Sequence, residues 1–118
     1  MANLSIVVVD DHRGFRQSLI SFLRQVPAVE IVGEAADGQE AEELVLKLSP
    51  DVVIMDIKMP RRNGIEAAKR IKSQALSVRV ILYSMDEPGI SDWSGVKVDG
   101  FIHKQRLFEE ILPALRVQ

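Results

Sequence analysis

Residues 51–60 read DVVIMDIKMP: an acid, four apolar residues, a second acid at Asp56 and, shortly after, a proline. A continuous apolar run this short is the pattern of a strand buried on both faces. Such strands do not usually end on a carboxylate without a reason. The stretch therefore predicts both a fold, a sheet covered on two sides, and a task for Asp56.

The same pattern recurs on either side. Upstream, Leu4–Val9 is another short apolar run, interrupted only by Ser5, and Phe15, Leu19, Phe22, Leu23 and Val26 then fall at helical spacing until Pro27 closes the segment. Val29–Gly33 reads as a second strand. Asp37 and Glu40 form a capping pair opening a helix whose inner face is Ala41, Leu44, Val45 and Leu48. Ser49 and Pro50 break that helix, and Asp51–Ile57 is the third strand. Downstream, Asn63 and Glu66 make a second capping pair ahead of Ile65, Ala68 and Ile71. Val78–Tyr83 and Gly100–His103 are the fourth and fifth strands. Phe108, Ile111, Leu112 and Leu115 define a last amphipathic helix, in which Pro113 predicts a kink or an early end.

Between the fourth and fifth strands, residues 85–99 carry Pro88, Gly89 and Gly95, which oppose a helix, and offer only Ile90, Trp93 and Val96 as an apolar face. A short or irregular fourth helix is expected there. Trp93, the only tryptophan, fits either local packing or an exposed partner contact. The alternation of strand and helix is the signature of βαβ units with right-handed crossovers. The predicted fold is α/β, a doubly wound, mostly parallel sheet with helices on both faces.

Composition narrows the function. The 118 residues fit one domain spanning 1–118, with 47% hydrophobic and 27% charged residues and a formal charge of −2. There is no cysteine, which excludes disulfides, thiolate metal sites and a cysteine nucleophile. A slightly acidic chain without a large basic tract is a poor candidate for holding nucleic acid or a membrane by itself. The start, MANLSIVVVDD, has no basic leader and only a short apolar run, so a cytoplasmic location is expected. Arg61, Arg62, Lys69, Arg70 and Lys72 read as a solvated loop and helix face.

The polar residues cluster by topology. Strand one ends in Asp10 and Asp11, strand three in Asp56, strand four in Ser84 and strand five in Lys104. In an open parallel sheet all carboxyl ends lie on one edge, where such folds bind ligands. Three carboxylates at one place call for a hard divalent cation, and Mg²⁺ (or Mn²⁺) takes oxygen ligands. A hydroxyl and an ammonium opposite suit the oxygens of a phosphoryl group, and an aspartate can itself attack phosphorus. The set reads as a phosphoryl-transfer site with a carboxylate nucleophile. His12 is expected at the rim and His103 at the surface or sheet edge, neither as a metal ligand.

The stretches VVVDDHRGFRQSL, VGEAADGQEA, PDVVIMDIKMPRRNGIEA, VILYSMDE and DGFIHK, in this order, resemble the receiver domain of two-component response regulators over essentially the whole chain. DDH and VGEAADG are similar to receivers that precede a LuxR-type helix-turn-helix output domain. The resemblance implies a flavodoxin-like sheet of order 2-1-3-4-5 with five helices. It implies Asp56 as phosphoacceptor, Asp11 as a direct Mg²⁺ ligand, Asp10 acting through a water, and the Lys58 backbone carbonyl as a further ligand. Ser84 and Lys104 match the hydroxyl and lysine that hold the phosphoryl group. Ser84 and Phe101 match the switch pair.

The implied function is a phospho-accepting signalling domain, not an enzyme on other substrates. Its donor is a sensor histidine kinase or a small acyl phosphate. Its outputs are a C-terminal DNA-binding domain controlling transcription, or pairing into a homodimer. The alternative is a receiver-fold interaction module that works without phosphorylation. Two features depart from the family pattern: the span from Ser84 to Lys104 is shorter than is common, and Gln105 stands where many receivers have proline. Lys58 and Met85 flank the site, where a long side chain would slow water attack on the acyl phosphate. A phosphatase of the haloacid dehalogenase type is disfavoured, because Lys58 occupies the place of its second aspartate.

Overall fold

The computed structural model describes residues 3–75, 77–86 and 98–117. Five parallel strands form one sheet: β1 (Leu4–Val9), β2 (Val29–Ala35), β3 (Val52–Asp56), β4 (Arg79–Ser84) and β5 (Gly100–His103), in the order β2-β1-β3-β4-β5. The helices among the described residues are α1 (Arg13–Arg24), α2 (Gly38–Leu48), α3 (Gly64–Gln74) and α4 (Leu107–Leu115).

The apolar runs become strands because every second side chain meets a different helical layer. Ile6, Val8, Ile54, Ile81 and Tyr83 pack with Leu19 and Leu23 of α1 and Ile111 and Leu115 of α4. Val7, Val9, Val53, Met55, Val80 and Leu82 pack with Ala41 and Val45 of α2 and Ala67, Ala68 and Ile71 of α3. A strand with alternating polarity would leave one of these layers without a partner, so Ile6–Val9, Val52–Met55 and Val80–Leu82 are wholly apolar.

Both expected capping pairs form. The Asp37 carboxylate accepts from the Glu40 N–H at 2.9 Å, and the Asn63 side chain accepts from the Glu66 N–H at 2.8 Å. Each satisfies a backbone donor of a first turn that has no partner within the helix.

The structure corrects the sequence reading at several edges. β2 runs on to Ala35, and β3 is confined to Val52–Asp56. Leu48, placed on the inner face of α2, is 37% exposed in the last turn, and Phe108 is equally exposed while Leu107 takes the buried position. α4 begins at Leu107, directly after a 3₁₀ turn over Lys104–Arg106, and its buried residues are Leu107, Ile111 and Leu115, one face at i, i+4 and i+8. Pro113 shortens α4 rather than breaking it at once: the helix closes at Leu115, with Arg116 left-handed at φ 61°. The helix expected over 85–99, with Trp93 in it, falls almost wholly outside the described residues.

Candidate functional site

Asp10, Asp11, Asp56, Ser84 and Lys104 meet at the carboxyl edge of the sheet. Asp56 ends β3 with 4% of its surface exposed, Asp10 follows β1 with none, and Ser84 ends β4 at 2%. The strand register places Asp56 beside Tyr83, and Ser84 beside His103.

The loop after β3 is held against the site by close packing. A Cβ on Gly64 would lie 2.3 Å from the carbonyl oxygen of Asp56, and one on Gly38 would lie 2.4 Å from that of Arg62. The Gly64 N–H donates to the Ile57 carbonyl at 2.7 Å. Only residues without a side chain let the first turns of α2 and α3 come this close to the segment from Asp56 to Arg62.

Charge in the site is unbalanced. Lys104 Nζ stands 3.7 Å from Asp10 Oδ2 and 3.8 Å from Asp56 Oδ2, and 4.3 Å from the centroid of the Phe15 ring. Asp10 Oδ1 accepts from the His12 N–H at 2.8 Å, and its Oδ2 accepts from the Tyr83 hydroxyl at 2.6 Å. Asp56 receives a long hydrogen bond, 3.3 Å, from the Lys58 N–H. Burial and then the neighbouring Asp10 charge push the Asp56 carboxyl up to about 6, against the opposing pull of Lys104 and the Lys58 N–H, with Asp11 adding to the rise. The acid is destabilised in its charged form, as a carboxylate awaiting a cation would be.

One ligand atom from each of Asp10, Asp11, His12 and Asp56 lies within 4.8 Å of the others. Three carboxylates facing one another, one of them raised toward neutrality, fit a divalent cation with oxygen ligands. His12, expected only at the rim, brings its Nδ1 to 3.2 Å from Asp10 and 3.3 Å from Asp11. Its side chain is largely exposed, consistent with the rim position.

Lys58 and Asp86 form an ion pair across the mouth of the site, both more than half exposed. The Asp86 N–H donates to Ser84 Oγ at 3.3 Å. Phe101 is half-buried on the α2 and α3 side, beside Leu82 in register and so on the same sheet face as Ser84. Sequence reasoning missed Tyr83. The available signal was that a residue just before Ser84 must project to the opposite face, the one that Asp56 also serves.

Comparison with known proteins agrees with this geometry. Residues 6–116 match the family described as the response regulator receiver domain. The chain is 34% identical over 116 residues to the transcriptional regulatory protein DegU of Brevibacillus brevis, covering 97% of this chain and 49% of that protein. It is 30% identical over 113 residues to the nitrate/nitrite response regulator NarL of Escherichia coli K12, covering 94% and 52%. The chain thus spans about half the length of these curated relatives. Among solved structures, the signal receiver domain of a NarL response regulator from Mycobacterium tuberculosis superposes with a TM-score of 0.90 at 32% identity, covering 98% of this chain and 95% of that one. A LuxR-family two-component response regulator from Aurantimonas sp. SI85-9A1 gives 0.88 at 27%, covering 98% and 84%. The chain belongs to the receiver domains of two-component response regulators, of the kind found in LuxR-type regulators.

Proposed function

We propose that Asp56 accepts a phosphoryl group from the phosphohistidine of a sensor histidine kinase, or from a small acyl phosphate. The observation that carries this reading is a carboxylate held almost wholly out of water between Asp10 and Lys104, at the end of a strand that is otherwise apolar. In the transfer, an Asp56 oxygen forms a bond to phosphorus while the donor's P–N or P–O bond breaks. The electron pair leaves with the imidazole or carboxylate of the donor. Asp56 must be ionised to attack, so the proton it holds below about pH 6 in the absence of a cation has to be gone.

Asp11, Asp56 and the Lys58 backbone carbonyl would hold Mg²⁺ or Mn²⁺, with Asp10 in the outer shell. The ion supplies positive charge that lowers the repulsion among the acids and offsets charge on the transferring oxygens. Lys104 takes one of those oxygens and Ser84 another, each moving toward the product. The product on Asp56 carries three strong acceptor oxygens and additional negative charge. A Ser84 drawn toward it vacates space on the face where Phe101 lies, so a local charge event becomes a change of surface. The proposed reaction modifies this chain's own Asp56 side chain. The relatives' extra length and names support a DNA-binding output domain and transcription control as the response.

The test is intact mass after incubation with Mg²⁺ and a small acyl phosphate, for the parent and Asp56→Asn. The parent gains one phosphoryl group and the variant none. No gain in folded parent with Mg²⁺ present favours a module that works without phosphorylation.

A further inference from the structure

Tyr83 enters the site from β4 and has no part in the roles above. It is the register partner of Asp56, its ring is fully buried, and its hydroxyl donates to Asp10 Oδ2 at 2.6 Å. Asp10 is itself wholly buried, and a buried carboxylate needs donors on its oxygens. Oδ1 has the His12 backbone N–H and ring. Oδ2 has the Tyr83 hydroxyl at bonding distance and, farther off, Lys104.

Lys104 is the group in demand. At 3.7 Å from Asp10 and 3.8 Å from Asp56 it is well beyond the roughly 2.8 Å of a committed ammonium–carboxylate hydrogen bond, so it is shared between the two acids. Its ammonium also lies over the Phe15 ring, which in turn packs against Tyr83 with centroids 5.7 Å apart. Burial first, then the adjacent Asp10 charge, drives the Tyr83 hydroxyl far above its ordinary range, which keeps it a donor.

We propose that Tyr83 is a positioning residue for phosphoryl transfer: by satisfying Asp10 Oδ2, its hydroxyl releases Lys104 to the phosphoryl oxygens at Asp56. The inference rests on Asp56 being the phosphoacceptor. Without the hydroxyl, Lys104 is the donor that closes on Asp10, and the charge it would bring to the transition state is withheld.

The experiment is the limiting rate of phosphorylation by a small acyl phosphate at saturating Mg²⁺, for the parent and Tyr83→Phe, each with Lys104 present or replaced by alanine. Phenylalanine keeps the ring packing and removes only the hydroxyl. The limiting rate falls about tenfold with Lys104 present, while half-saturation by Mg²⁺ is unchanged. In the Lys104→Ala background the same substitution changes nothing further. A purely structural role would lower the melting temperature and leave the limiting rate of folded protein as it was, which overturns the inference. An equal loss in both backgrounds overturns it too, because Tyr83 would then act independently of Lys104.

Should Tyr83→Phe fail to fold, the chain offers a second route, since Tyr83 is its only tyrosine. Biosynthetic replacement by 3-fluorotyrosine changes this residue alone, and the ring fluorine beside the hydroxyl makes it a stronger donor; the limiting rate then rises, and an unchanged rate overturns the inference. No uptake by the parent overturns the reading of Asp56 and this inference with it. Uptake by the parent with no effect of either change overturns this inference alone.

Discussion

The two edges of the sheet use aspartate in opposite ways. At the amino edge, Asp51 Oδ2 accepts from the Ser5 N–H at 2.8 Å and the Ser5 hydroxyl at 3.0 Å, while the Asp51 N–H donates back to Ser5 Oγ at 2.9 Å. Asp99 Oδ2 likewise accepts from the Val80 N–H at 2.7 Å and pairs with Lys72 Nζ at 2.9 Å. These acids staple neighbouring segments together. At the carboxyl edge, Asp10 and Asp56 face each other across an ammonium that reaches neither at bonding distance. At one edge the acids tie segments of the fold together; at the other, the open edge, Lys104 is left between two acids, where the proposed reaction takes place. The residue type is the same; the difference lies at Asp56, whose one hydrogen-bond donor, the Lys58 N–H, stands 3.3 Å away.

The sharpest way to break the comparison is to disturb the packing that holds the open edge open. Gly64→Ala puts a Cβ 2.3 Å from the Asp56 carbonyl oxygen and should cost about 3 kcal/mol or more in chemical unfolding. Gly14→Ala on α1, with nothing within 4 Å of its Cβ, should instead stabilise by about 0.5–1 kcal/mol. Equal effects at the two glycines would mean the loop after β3 is not pinned.

Next comes Asp56→Asn without divalent cations, which removes an acid the fold holds unfavourably. With its carboxyl raised from 3.8 to about 6, the folded state keeps a proton that the unfolded chain releases. The parent therefore loses stability as pH rises through that window. At pH 7 the asparagine variant should be more stable by on the order of 2–3 kcal/mol, and near pH 4 the advantage should vanish. Added Mg²⁺ should narrow the gap at pH 7 by stabilising the parent. Equal melting of parent and variant at pH 7 would show that the edge is not under charge repulsion.

At the amino edge the sign reverses. Asp51→Ala and Asp99→Ala should each destabilise by about 1–2 kcal/mol, because each leaves a strand N–H without its carboxylate. Neither should change phosphoryl uptake measured on folded protein. Smallest in stability is Lys58→Ala: its pairing with Asp86 lies in solvent, so melting should not move. Faster loss of the phosphoryl group in that variant would show that the pair screens the acyl phosphate from water, and an unchanged rate would rule that out.

Much of this was legible in the sequence, for identifiable reasons. Strands buried on both faces write themselves as apolar runs, so Ile6–Val9 and the run ending at Asp56 needed no structure to locate. The parallel topology then forced Asp10, Asp11, Asp56, Ser84 and Lys104 to one edge. Harder to see was anything that depends on helix phase or on contacts between distant side chains. Leu107 rather than Phe108 takes the buried position of α4, while the Phe108 ring packs edge on against Phe15 at 5.8 Å and Phe22 at 5.2 Å. The Tyr83 hydroxyl reaches Asp10 across 73 positions of sequence, and nothing in the local pattern of β4 distinguishes it from a core aromatic.

The central claim is that the open edge is where the chain is modified, and at one residue. After incubation with Mg²⁺ and a small acyl phosphate, borohydride reduction converts a phosphorylated aspartate to homoserine, which peptide mass mapping locates. Homoserine at position 56 alone is the predicted result. Homoserine at Asp10 or Asp11 with Asp56 intact would contradict the account.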